Sequence, residues 1–110
     1  MTVPVNVRDG AGHTIVAPDG RLYFDTVEPV RDALLALAAA DRPHIVLDLS
    51  RVETCDSSAL NLMVRVHRAA TGHGGWLRLV APQPHVVRVL EVTNLTRLLA
   101  VYDTVAEASA

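Results

Sequence analysis

One stretch near the middle of the chain constrains the fold more than any other. Residues 44–50 form a short, continuous apolar run with β-branched side chains, which is typical of a strand buried on both faces. Residues 60–70 have helical spacing, and the apolar stripe consists of Leu60, Met63 and Val64. The stretch therefore predicts a buried strand followed by an amphipathic helix.

Between the strand and the helix lies Asp56-Ser57-Ser58, the strongest helix-start sequence in the chain. As the N-cap, Asp56 is expected to accept a hydrogen bond from the N–H group of Ser58 or Ala59. Ser57 then lies in the first turn, close to the surface, at the positive end of the helix dipole. Taken by itself the motif indicates a helix cap without chemistry, because Ser and Asp dominate N-cap positions.

Strand and helix patterns alternate along the rest of the chain. A hairpin begins it, with Pro4 on an edge strand. Residues 21–23 can resume that hairpin past a bulge. The two strands of the hairpin are predicted at residues 3–7 and 13–17. The remaining predicted strands are residues 44–49, 76–80 and 98–101. The predicted helices begin at Asp25 or Thr26, at Ser57, at His85 and at Asp103, which is the expected cap of the last one. This order predicts one α/β domain, residues 1–110, with a mixed β-sheet covered by α-helices.

Composition excludes several classes of function. The net charge of −2 indicates neither a nucleic-acid surface nor a basic membrane-binding face. No apolar run approaches the ~20 residues of a membrane span, so we expect a cytoplasmic protein without membrane insertion. Cys55 is the only cysteine, and we expect a small buried side chain there. The five histidines fall on separate elements, so we expect no metal site and no cofactor.

The order of these features resembles the STAS-domain family, and specifically the bacterial anti-sigma factor antagonists. The resemblance runs from about Val16 to the C-terminus, and residues 44–60 carry most of it. It implies the STAS fold, a mixed sheet with an N-terminal antiparallel hairpin, covered by helices. It also implies that Ser57 is phosphorylated by an anti-sigma factor serine kinase, and that a PP2C-type phosphatase restores it.

Two positions depart from the family pattern. The family commonly has Gly at the position of Ala59, so a methyl group is added where a kinase approaches. The family also often has Gly-Glu-Leu-Asp at the end of the second strand, whereas this chain has Gly20-Arg21-Leu22-Tyr23. The acid is thus replaced by Tyr23, and Asp25 is the nearby carboxylate that remains. Either the docking surface is altered by an aromatic residue, or phosphorylation is weakened.

A candidate partner-binding surface follows from the resemblance and from the helical spacing. Arg65 and Arg68 are placed on the exposed face of the central helix, where they either contact an acidic partner or simply face solvent. An exposed Tyr23–Phe24 pair would favour a partner surface, and inward packing of one of the two is the alternative. The candidate residues are Tyr23, Asp25, Asp56, Ser57, Ser58, Asn61, Arg65 and Arg68.

Three hypotheses of function follow. The first is a regulatory protein that competes with a sigma factor for an anti-sigma kinase and is switched off at Ser57. The second is a STAS adaptor that docks constitutively in a multi-protein or transporter-associated assembly, with Ser57 silent. The third, an enzyme with Ser57 as nucleophile, lacks a placed base and a Gly-x-Ser-x-Gly elbow. The edge strand that carries Pro4 is compatible with a monomer or a weak dimer.

Overall fold

Two β-sheets and four α-helices make up the computed structural model, which describes residues 3–109. The strands are β1 (Val5–Gly10), β2 (His13–Pro18), β3 (Gly20–Leu22), β4 (His44–Asp48), β5 (Val52–Cys55), β6 (Trp76–Val80) and β7 (Ala100–Tyr102). The helices are α1 (Glu28–Ala38), α2 (Ser57–Gly72), α3 (Pro84–Val92) and α4 (Val105–Ala108), with a short 3-10 turn at Leu95–Arg97.

The main sheet has the strand order β1-β2-β4-β6-β7. The β1–β2 pair is antiparallel, and the three other pairs are parallel. The mixed α/β fold with an N-terminal hairpin is therefore confirmed. Strand β4 lies at the centre, where Ile45, Val46 and Leu47 are fully buried, as its continuous apolar run predicts.

The hairpin is longer and its turn tighter than expected. The two strands pair from Val5 with Pro18 to Gly10 with His13, so that the turn contains only two residues. Gly12 in that turn has a φ of +78°, which glycine adopts without strain. The predicted strand at 3–7 is thus shifted, because cross-strand pairing extends to Gly10 while Val3 packs in the core.

The second sheet corrects two sequence-based expectations. Strand β3 does not resume the hairpin but pairs in parallel with β5, with Leu22 beside Cys55. The segment before Asp56, which lies outside every strand predicted from the sequence, is therefore strand β5. Strand β3 has three residues and β5 has four, which is too few for a clear periodic signal. Both strands form because they pair with residues that are distant in the sequence.

The helices bury two separate faces of the main sheet. Helices α1, α2 and α3 cover one face with a large core that includes Leu34, Met63 and Leu90. On the other face, Ala108 of α4 packs with Ile15, Val46 and Val80. Within residues 3–109, each helix is too short or too polar to span a bilayer.

Several helix ends differ from prediction for local reasons. Helix α1 begins at Glu28, later than expected, because the hydroxyl of Thr26 accepts the N–H of Tyr23 and forms a turn before it. Thr104, not Asp103, caps α4, because its hydroxyl accepts the N–H of Glu107. The last strand begins only at Ala100, because the N–H groups of Leu98 and Leu99 donate to the carbonyl of Leu95 at the end of the 3-10 turn.

Candidate functional site

The site is built around Asp56, which caps helix α2. Asp56 has extended backbone angles, and its Oδ1 accepts the N–H of Ala59 at 3.2 Å. Its carbonyl accepts the N–H of Leu60 at 3.2 Å as the first bond of the helix. The predicted cap is therefore present, with Ala59 as its donor. An Asp cap of this kind stabilises a helix by about 1 kcal/mol relative to Ala.

The other carboxylate oxygen of Asp56 binds a loop that is distant in sequence. Its Oδ2 accepts the N–H of Phe24 at 2.8 Å. The backbone N–H of Asp56 donates to the carbonyl of Leu22 at 3.1 Å. The β3–β5 pairing makes this possible, since it brings the end of β3 beside the residue before the helix.

The loop at residues 23–26 is fixed by further hydrogen bonds. The hydroxyl of Thr26 accepts the N–H of Tyr23 at 2.9 Å and donates to the carbonyl of Arg21 at 2.6 Å. Tyr23 is half-buried, Asp25 is exposed, and the Phe24 side chain is 81% exposed. The alternative in which one aromatic packs inward is therefore partly realised by Tyr23, while Phe24 faces solvent.

Ser57 lies exposed in the first turn of α2, and Ser58 beside it is half-buried. Within residues 3–109, no hydrogen bond uses the amide N–H of either serine. Free N–H groups at a helix N-terminus point outward and favour a negative charge. A group attached to the Ser57 hydroxyl would thus lie close to unpaired donors.

A shallow cleft of about 250 Å³ begins at Ser57 and follows one face of α2. The opposite wall comes from the chain after α3, where Asn94 in the left-handed conformation turns the backbone. The cleft is lined by Ser57, Leu60, Asn61, Val64, Thr93 and Leu95. None of these residues can act as a general base, so the arrangement does not favour Ser57 as an enzymatic nucleophile.

The exposed face of α2 continues beyond the cleft. Asn61, Arg65 and Arg68 are all exposed on it. Neither arginine forms an ion pair among the described residues. Their positive charge is therefore available to a partner.

Tyr23 and Asp25 are not brought into the Ser57 cleft. They line a different cleft, together with Val3, Pro4 and Arg21. The residue of this loop that contacts Asp56 is Phe24, which the candidate surface did not include. The sequence feature that points to Phe24 is its place in the Tyr23–Phe24 pair. It is the one phenylalanine in the sequence.

Sequence reasoning also did not place Thr93 and Leu95 beside Ser57. The two sites are far apart in the chain, and only the packing of α3 and its following turn near α2 brings them together. The left-handed Asn94 after a helix is a recognisable stop signal, yet it does not reveal which element lies opposite.

The two small residues beside the serines face inward. Ala59 is 1% exposed, so its methyl group lies in the core and adds no bulk to the outer surface, contrary to the expectation from the family pattern. Cys55 is buried as predicted, and burial together with the neighbouring Asp56 carboxylate raises the pKa of its thiol to about 11. The thiol is therefore protonated near neutral pH and is a poor nucleophile.

The described residues contain no group of three His, Cys, Asp or Glu side chains that could hold a metal ion. The candidate site thus consists of an exposed serine, a fixed loop and an uncompensated basic face. This arrangement has the features of a protein-binding surface.

Comparisons with known proteins agree with this architecture. The family model of the STAS domain matches residues 2–108. An anti-sigma F factor antagonist of Paenibacillus polymyxa is 27% identical over 109 residues, covering 98% of this chain and 93% of that protein. The solved structure of an anti-sigma factor antagonist (STAS) domain protein from Planctomyces limnophilus is similar to this chain, with a TM-score of 0.86 and 28% identity. That match covers 94% of this chain and 93% of the other.

A relative from Thermotoga maritima, provisionally named an anti-sigma factor antagonist, is 44% identical over 64 residues. That match covers 58% of this chain and 57% of the relative, so little more than half of its length is spanned. The family match, in contrast, extends over nearly all of the fold described above. The chain belongs to the STAS domain family.

Proposed function

We propose that this protein is an anti-sigma factor antagonist that binds an anti-sigma factor kinase and thereby releases a sigma factor for transcription. Phosphorylation of Ser57 by that kinase switches the antagonist off. The observation that carries the proposal is the placement of Ser57, exposed in the first turn of α2 beside unpaired amide N–H groups. The names of the relatives support the same class of function.

The helix N-terminus explains how such a switch can operate without unfolding. A phosphoserine carries about −1.5 to −2 charges, and the unpaired N–H groups of Ser57 and Ser58 stabilise a negative group there. The same charge lies next to Asp56, so the surface becomes strongly negative at this point. Kinase binding is lost through repulsion and steric filling, and a PP2C-type phosphatase restores the active form.

The proposed partner-binding surface surrounds Ser57. Asp56, Ser58 and Asn61 form its centre, and Arg65 and Arg68 extend it along α2 toward an acidic region of the kinase. Tyr23 and Asp25 line a different cleft, and the contact of Phe24 with Asp56 links their loop to this surface. The exposed arginines contribute mainly to the rate of association and to specificity, because charges at an interface rim steer encounters.

The test is phosphorylation in vitro. The purified protein is incubated with ATP and each anti-sigma factor kinase of its source organism, and its intact mass is measured. One added phosphate on the wild type and none on Ser57→Ala is the expected result. The Ser58→Ala variant is the matched control and should still be phosphorylated.

Kinases that are active on other antagonists yet add no phosphate here would contradict the switch. In that case the second hypothesis, a STAS adaptor that docks constitutively, would replace it. A kinase that binds the protein equally well before and after phosphorylation would contradict the mechanism, although Ser57 would remain its substrate.

A further inference from the structure

We propose that Phe24 is the apolar anchor of this surface, inserting into a pocket of the anti-sigma kinase, and that Asp56 holds it in place. The inference rests on the proposed function and adds a residue to it. It assigns Asp56 two separate roles, as helix cap and as positioning residue for Phe24.

Phe24 combines exposure with a fixed backbone. Its side chain is 81% exposed, while its N–H donates to Asp56 at 2.8 Å. The turn that follows is closed by hydrogen bonds from Thr26 and Val27 to the carbonyl of Tyr23, each 2.9 Å long. An aromatic side chain on a fixed backbone loses little entropy on binding, and aromatic residues dominate binding energy at interface centres.

The position of Phe24 favours the partner that recognises Ser57. The same carboxylate contacts both the Phe24 amide and the first turn of α2, so the backbone of the anchor is tied to the residue that precedes the phosphoacceptor. Leu60 and Leu95 add apolar side chains to the lining of the Ser57 cleft. The partner therefore presents an apolar pocket next to its catalytic site, and acidic groups toward Arg65.

The two carboxylate oxygens of Asp56 accept different N–H groups, and this difference offers a selective test. Asparagine caps helices about as well as aspartate, because its one carbonyl oxygen can still accept the Ala59 N–H. Its amide nitrogen, however, is a donor and cannot accept the Phe24 N–H. Asp56→Asn thus removes the hydrogen bond to the Phe24 amide while it keeps the cap.

Binding of the unphosphorylated protein to the kinase that phosphorylates Ser57 is measured by calorimetry for wild type, Phe24→Ala, Asp56→Asn and the double variant. Phe24→Ala is expected to weaken binding about 30-fold, as loss of a hot-spot residue does. Asp56→Asn is expected to weaken binding less in the Phe24→Ala background than in the wild type, because part of its effect acts through Phe24. Val7→Ala, an exposed valine on β1, is the control and should bind like wild type.

Amide hydrogen exchange of the free protein tests, without any partner, whether Asp56 holds the Phe24 backbone in place. In Asp56→Asn the Phe24 amide should exchange faster, while the Ala59 amide stays protected. Unchanged exchange at Phe24 would overturn the positioning role. Wild-type affinity of Phe24→Ala would overturn the anchor alone, whereas failure of the wild type to bind any of the kinases would overturn the proposed function and the anchor together.

Discussion

The backbone of Pro43 leaves no space for a side chain at Gly75. A Cβ at this position would lie 1.8 Å from the carbonyl oxygen of Pro43. That carbonyl accepts the N–H of Trp76 at 2.8 Å, so the close approach aligns β6 with the start of β4. The requirement for glycine arises from this contact between two chain segments and not from the turn itself.

We therefore expect Gly75→Ala to lower the free energy of unfolding by about 1–3 kcal/mol, as overpacking does. Gly72, the last residue of α2, has open space where a Cβ would lie. Gly72→Ala should instead raise the free energy of unfolding by about 0.5–1 kcal/mol, because alanine favours the helix. Urea unfolding of both variants measures the difference, and equal effects would contradict the contact with Pro43.

Helix α2 is the element that joins stability and function. Its inner face is buried through Leu62, Met63 and Val66, whereas its N-terminal turn and outer face carry the candidate site. Because the buried residues of α2 lie on its inner face, the outer residues are free to serve a partner. The cap at Asp56 fixes where the helix begins, and so fixes Ser57 in the first turn.

A negative charge at Ser57 should weaken kinase binding without weakening the helix. We expect Ser57→Asp to raise the free energy of unfolding by about 0.3–1 kcal/mol relative to Ser57→Asn, its neutral counterpart, through the helix dipole. Its affinity for the kinase should fall below that of Ser57→Asn. Thermal unfolding and titration calorimetry of the two variants measure this, and a charged variant that binds like the neutral one would contradict the charge switch.

The whole molecule is asymmetric about its main sheet. Three helices cover one face, and within residues 3–109 the other face is covered by α4 and a cluster of aromatic and basic side chains. There the Arg78 guanidinium lies 3.9 Å from the Trp76 ring centroid and donates to the carbonyl of Ala108 at 2.7 Å. Trp76 also stacks on His44 with 4.9 Å between ring centroids. Helix α4 is short, and it is held on the sheet by the packing of Ala108 and by the hydrogen bond from Arg78.

A charge placed under α4 should detach it from the sheet. Ala108 is fully buried, whereas Ala106 in the same helix is exposed. We expect Ala108→Asp to lower the free energy of unfolding by about 2–3 kcal/mol. Trp76 fluorescence should change as well, since the hydrogen bond from Arg78 to the carbonyl of residue 108 is lost. Ala106→Asp is the control with little expected effect. Native-like emission and stability of Ala108→Asp would show that α4 does not close this face.

The mixed α/β fold, the buried central strand and the Asp56 cap could be predicted from the sequence, because each depends on local periodicity or on cap chemistry. The exposed face with Asn61, Arg65 and Arg68 follows from helical spacing in the same way. The pairing of β3 with β5, the bond between Asp56 and Phe24, and the position of Leu95 across from Ser57 could not be predicted in this way. These are contacts between segments distant in the chain. No local pattern encodes them, because their energy comes from pairing and burial that exist only once the sheet and helices have packed.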